Sequence, residues 1–129
     1  MIDLPVLGDE RGSLVAIEPG ELLPFSIGRV SYVFATTPGA GQEFHAHRNS
    51  RQWVIAVSGS CTILVDDGQR RAEVRLERAD RALEVGAMVW RQVHEFSGDA
   101  VLIVLAEEAG AGDNSIRSYD EFRAALRAN

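Results

Sequence analysis

Two histidines stand one residue apart in the stretch Gln42-Glu43-Phe44-His45-Ala46-His47. On a β-strand alternate side chains share a face, so His45 and His47 point the same way, about 7 Å apart along the strand. Two imidazoles so placed can grip one metal ion. They can also move protons, because imidazole titrates near pH 6.5 and both of its forms are accessible around neutrality. As surface residues on an ordinary strand they would do neither, and the spacing alone leaves these readings level.

The chain has 129 residues, the size of one ordinary domain, and we read residues 1–129 as a single domain. Its 46% hydrophobic and 25% charged residues suit a soluble protein with a real core. A formal charge of −6 argues against nucleic acid as a partner, since phosphate binding favours a basic patch. The single cysteine, Cys61, excludes an internal disulfide framework and a Cys-rich zinc site. With Thr62-Ile63-Leu64-Val65 after it, Cys61 reads as a core residue. The apolar runs are too short to span a bilayer, and Met1-Ile2-Asp3-Leu4-Pro5 lacks a basic-then-apolar leader pattern. We therefore expect no membrane partner and a cytoplasmic location.

Short strands separated by turns account for most of the chain. Asp9-Glu10-Arg11-Gly12 reads as a turn, Ser13 to Glu18 as a strand stopped by Pro19-Gly20, and Ile27 to Thr36 as the next strand. The loop Thr37 to Gly41 delivers the chain into the histidine strand. Gln52 to Val57 is almost wholly apolar, which predicts cover on both faces. Cys61 to Val65 returns, Asp66-Asp67-Gly68 turns, and Arg70 to Arg78 alternates with Ala72, Val74 and Leu76 on one face. After the short Leu83-Glu84-Val85, Met88 to Phe96 carries Trp90, Gln92 and His94 on a common face, which places Arg91 on the other, surface side. Ala100 to Ala106 is a continuous apolar strand, and Glu107 to Asn114 is a Gly-rich loop. Ser118 with Glu121 forms a capping box, and Phe122, Ala125 and Leu126 give a short C-terminal helix its apolar face. About nine short strands at regular spacing predict an all-β sandwich or barrel, whose inward side chains surround one cavity.

The cavity candidates follow from that layout: His45 and His47 from one strand, with Gln52, Trp90, Gln92 and His94 from others. Arg29 alternates with Ser31 and is a candidate for an inward-pointing phosphate ligand. Tyr32 is a candidate donor, or a core residue beside Val30 and Phe34. The order Gly41, His45, His47, Gln52, Gly59, His94 resembles the cupin signature, with Gln52 where metal cupins carry Glu. A neutral amide replaces an anionic ligand poorly, although His45, His47 and His94 could still form a three-histidine metal site.

Most of the chain resembles the sugar 3,4-ketoisomerase family, the WxcM-like branch of the RmlC-like cupins, which acts on dTDP-4-keto-6-deoxyglucose. The resemblance runs through Gly12-Ser13-Leu14, Pro24-Phe25-Ser26-Ile27, Arg29-Val30, Tyr32, Phe44-His45-Ala46-His47, Gln52, Gly59-Ser60, Asp66-Asp67-Gly68 and Trp90. It continues through Phe96-Ser97, Asp99-Ala100, Val104-Leu105-Ala106, Ile116-Arg117 and Tyr119-Asp120-Glu121-Phe122. It implies a cupin-type antiparallel β-barrel or jelly roll with a short C-terminal helix, a homodimer, and no metal or other cofactor. It also implies that a histidine pair moves a proton between C3 and C4 of a nucleotide-linked 4-keto-6-deoxy sugar, through an enediol, in deoxysugar biosynthesis. On that reading His47 is the base, His45 the relay and Tyr32 a further catalytic donor, with the two histidine roles interchangeable. Arg29, Gln42, Gln52, Trp90 and His94 would bind the nucleotide sugar. The family's Arg-Gly before the histidine motif is replaced here by Gln42-Glu43, which removes a cation from that place. The alternatives are a metal-dependent small cupin enzyme and a cupin that binds a nucleotide sugar without turning it over.

Overall fold

The structure is a computed structural model, and it describes residues 1–18, 20–108 and 115–127. Pro19 of the predicted turn and residues 109–114 of the Gly-rich loop lie outside the described residues. Among the described residues the elements are β1 (Ile2–Asp3), β2 (Leu7–Asp9), β3 (Gly12–Leu14), β4 (Ile27–Val33), β5 (Ala46–His47), β6 (Gln52–Ser58), β7 (Cys61–Asp66), β8 (Arg71–Leu76), β9 (Arg81–Val85), β10 (Trp90–His94), β11 (Val101–Glu107), β12 (Ser115–Ile116) and α1 (Tyr119–Arg127).

The strands build two main sheets, antiparallel throughout. One has the order β1-β9-β6-β11-β4 and the other β10-β7-β8. The small pair β12-β5 is joined to the second sheet, because His45, just before β5, bridges to Arg91 of β10. The β2-β3 hairpin stands apart, turned by Glu10 and Arg11 with Asp9 accepting from the Arg11 backbone N–H at 2.8 Å.

Burial follows the strand alternation. On β6, Val54 and Ala56 point between the sheets and meet Ile63, Leu76, Val85, Val93 and Leu102 in the main core. Trp53 and Ile55 point the other way, into a second cluster with Leu4, Leu23, Phe25 and Leu105. That strand is thus covered on both faces, as its apolar run requires. Val15 and Ile17 pack on this second cluster without joining a ladder. The strand expected from Ser13 to Glu18 is therefore only Gly12–Leu14, because the apolar spacing serves packing instead of pairing.

A third cluster seats the helix. Phe122 is fully buried against Trp90, Ala46 and Ile116, with Phe44, Tyr119 and Leu126 around it. The cap forms as its sequence predicts, with the Glu121 N–H donating to Ser118 Oγ at 3.3 Å. This third layer decides which face of β10 is which. Trp90 faces the helix, so its neighbours in sequence, Arg91 and then Val93, face between the sheets.

Candidate active site

Between the sheets lies a cavity of about 930 Å³, lined from both of them and from the segment that carries the histidines. That segment is irregular until Ala46, yet it is stitched to β10 along its length. Gln42 N–H donates to Val93 O at 2.7 Å, and His45 and Arg91 exchange backbone hydrogen bonds at 3.0 and 2.8 Å. Gly41 makes the close approach possible, since a Cβ there would meet His94 Cβ at 2.8 Å.

The two imidazoles come together as the spacing predicts. Their ring centroids are 5.1 Å apart and the planes are nearly perpendicular, at 86°. Ala46 between them is buried in the helix cluster, which turns both histidines toward the cavity. His45 Nδ1 lies 3.3 Å from the Glu43 carbonyl oxygen. A carbonyl only accepts, so Nδ1 carries the proton and Nε2 keeps its lone pair. Burial holds the His45 imidazolium below its ordinary pKa against the raising effect of the Glu43 carbonyl, and the charges of Arg91 and Arg117 push it the same way. His45 is therefore a neutral base at physiological pH.

Arg91 corrects the sequence reading most sharply. Expected on the surface, it is 2% exposed and lines the cavity. Its Nη1 donates to Gln52 Oε1 at 2.7 Å, with Gly86 O and Val89 O accepting from Nη2 and Nε at 3.3 Å. Burial brings it down to about 10, which leaves it protonated at neutral pH. Strand alternation did place it opposite His94. The error lay in which face met the cavity, and only the docking of α1 on Trp90 decides that.

Of the other expected residues, Arg29, Gln42 and Gln52 line the same cavity as the histidines. Tyr32, Trp90 and His94 do not, which corrects the expectation that they would join them within this chain. Tyr32 sits on the outer face of β4 against Phe34, 65% exposed. Trp90 is stacked on Phe44 at 5.7 Å and packed by Tyr119 and Phe122. His94 shares its face, braces Gly41, and has Nε2 4.0 Å from Glu73 Oε1. Arg117, quoted above only as part of the resemblance, lines the cavity too, as do Glu43 and Glu108. Among the described residues no three His, Cys, Asp or Glu side chains converge on one point. With His94 turned away, the three-histidine metal site is not assembled.

Fold and site together define an antiparallel all-β protein with a paired-histidine cavity that also holds a buried arginine. Comparison with known proteins gives the particular family. The model of the WxcM-like, C-terminal family (FdtA) matches residues 1–127. The TDP-4-oxo-6-deoxy-alpha-D-glucose-3,4-oxoisomerase of Aneurinibacillus thermoaerophilus is 41% identical over 123 residues, 95% of this chain and 88% of that protein. The crystal structure of the TDP-quinovose 3,4-ketoisomerase of Campylobacter jejuni superposes with a TM-score of 0.89 at 41% identity, covering 95% of this chain and 94% of that one. A mutant 3,4-ketoisomerase of Thermoanaerobacterium thermosaccharolyticum, in complex with TDP-4-keto-6-deoxyglucose, superposes with a TM-score of 0.92 at 28% identity, covering 98% and 92%. The chain belongs to this family of sugar nucleotide 3,4-ketoisomerases.

Proposed function

We propose that this chain interconverts the 4-keto and 3-keto forms of a TDP-linked 6-deoxy sugar by proton transfer through an enediol. The observation that carries the reading is the neutral, lone-pair-bearing His45 5.1 Å from His47 in a cavity that also holds Arg91. The C4 carbonyl acidifies the C3–H bond. His45 Nε2 takes that proton, the bonding pair forms the C3=C4 double bond, and O4 gains a proton to complete the enediol. O3–H then loses its proton as C4 receives one, which leaves the carbonyl at C3. His47 carries the proton between O3 and O4, and the His45 imidazolium gives C4 the proton taken from C3, or one exchanged from solvent, so both rings end as they began. Arg91 offers its charge to the oxygen on which negative charge develops. This assigns the two histidine roles in the order opposite to base at His47 and relay at His45, on the strength of the Glu43 hydrogen bond and the burial of His45.

Arg29, Arg117 and Gln42 hold the diphosphate and Gln52 orients Arg91. Support comes from their place on the cavity lining and from guanidinium geometry, which matches phosphate oxygens. The reaction needs no metal or organic cofactor, since each proton has an imidazole to carry it. We read residues 1–129 as one cupin-type jelly-roll barrel, the two facing sheets closing around the cavity. We also read the protein as a cytoplasmic homodimer. Val30 and Tyr32 on the edge strand β4 and Phe34 just past its end, at 58, 65 and 64% exposure, support a covering second copy. Among the described residues no helix is long and apolar enough to cross a membrane.

Proton NMR with TDP-4-keto-6-deoxyglucose in D₂O tests the function. A 3-keto product with deuterium at C4 is the expected result. A spectrum matching the enzyme-free control, with the sugar nucleotide bound, overturns it in favour of a binding domain.

A further inference from the structure

Gln52 and Arg91 pose a problem of charge. A buried guanidinium is costly unless a counter-charge accompanies it. Yet the three acceptors around Arg91 are an amide and two backbone carbonyls, and among the described residues no carboxylate pairs with it. The remedy is one substitution away. Glutamate has the shape of glutamine, and at position 52 it would place a carboxylate oxygen where Oε1 now accepts at 2.7 Å, turning a neutral hydrogen bond into a charge-assisted one. Gln52 keeps the geometry and withholds the charge.

We propose that Gln52 is a positioning residue that acts by being neutral: it aims Arg91 into the cavity beside His45 and leaves the guanidinium charge free for the enediolate. The proposal rests on the ketoisomerase reading above. His45 and Arg91 are cross-strand partners, so their side chains share a face, and a charge on one is felt by the other. The charged and titratable groups that share the cavity with His45 are His47 from β5, Arg91 from β10, Arg117 from beyond β12, Glu43 from its own loop, Arg29 from β4, and Glu107 and Glu108 at and just past the end of β11, with the neutral Gln52 from β6 among them. Arg91 and Arg117 both oppose an imidazolium there. A carboxylate at position 52 would cancel the first of them, making His45 easier to protonate and the developing oxyanion harder to hold.

The test follows the imidazole Cε1–H resonances of the full chain through a pH titration, simple to assign because the chain has three histidines. Alongside it, the pH dependence of kcat and KM is measured with TDP-4-keto-6-deoxyglucose. Gln52→Glu is expected to raise the His45 midpoint by about one pH unit or more. The acid limb of kcat should move with it, and kcat should fall at least about tenfold with a smaller change in KM. Gln52→Met, neutral but without the acceptor, should lower kcat while leaving the His45 midpoint in place. If Gln52→Glu does not fold, Arg91→Met replaces it, and its His45 midpoint must rise. An unmoved midpoint in whichever of these two is used, with an active wild type, overturns the role of Gln52 alone. A shifted midpoint with an inactive wild type overturns the isomerase reading and, with it, the enediolate as the partner of Arg91.

Discussion

The orientation of His45 is set by a hydrogen bond to a residue two positions earlier. That bond fixes which nitrogen is free, and burial fixes the charge of the ring. Replacing His45 by Asn should lower kcat by about 10²–10⁴ with the fold retained, read by product formation against circular dichroism. His47→Asn should also abolish turnover, and normal turnover in either variant removes that imidazole from the chemistry. In the proposed mechanism the base is neutral His45, whose pKa is lowered from the ordinary value, so the acid limb of kcat/KM should lie below about pH 6.5. A limb at or above that value contradicts a buried neutral His45. That the histidine pair, Arg29 and Gln52 would share one cavity was legible from residue type and spacing, and Gln42 joined them through the resemblance alone. Arg91 was not, since an arginine in an alternating strand reads as surface until the other face is known to be occupied.

Helix α1 holds that other face, and a second device ties it down. Asp66 at the end of β7 is 2% exposed and accepts from Gly68 N–H at 2.8 Å, Arg71 Nε at 2.9 Å and Tyr119 Oη at 3.0 Å. Burial opposes the charge on Asp66, but the three donors outweigh it and its pKa is lowered. A carboxylate with a depressed folded pKa adds stability above its unfolded value of about 3.9, and that stability is lost as pH falls through the folded value. Asp66→Asn should therefore cost about 1–3 kcal/mol at neutral pH. It should also flatten the acid dependence of stability below about pH 3.9, measured by urea unfolding at several pH values. Phe122→Ala, which empties the centre of the same contact, should cost about 3–5 kcal/mol. The sequence announced this helix through its cap and apolar spacing. It did not announce Asp66, whose turn signal Asp66-Asp67-Gly68 is sufficient for a simple hairpin.

At the level of the whole molecule, the unusual surface is the outer face of β4. The face opposite the cavity continues from Ile103 and Leu105 of β11 to their partners Tyr32 and Val30, but the second cluster reaches only Ile27 of β4 and leaves Val30 and Tyr32 exposed. In the homodimer reading this face is where the second copy lies. Light scattering should give twice the chain mass for the native protein and the single chain mass for Tyr32→Glu with Phe34→Glu, with the far-ultraviolet spectrum unchanged. A native monomer would refute the dimer. The all-β class was plain from strand lengths and turns. The grouping into five and three strands was not, because pairing partners depend on contacts between residues far apart in sequence, such as Gln52 with Ala106.

The Gln52–Arg91 hydrogen bond has its two ends in different sheets, β6 in one and β10 in the other. It therefore measures the gap between them. On the proposed mechanism, heating that parts the sheets enough to break this bond, with each ladder still intact, also loses the aim of the charge at the reacting oxygen. The protein should behave as if it carried a thermal fuse. On slow warming, turnover should fail several degrees before ellipticity does and return in full on cooling, whereas an enzyme whose site lies in one sheet would lose both together.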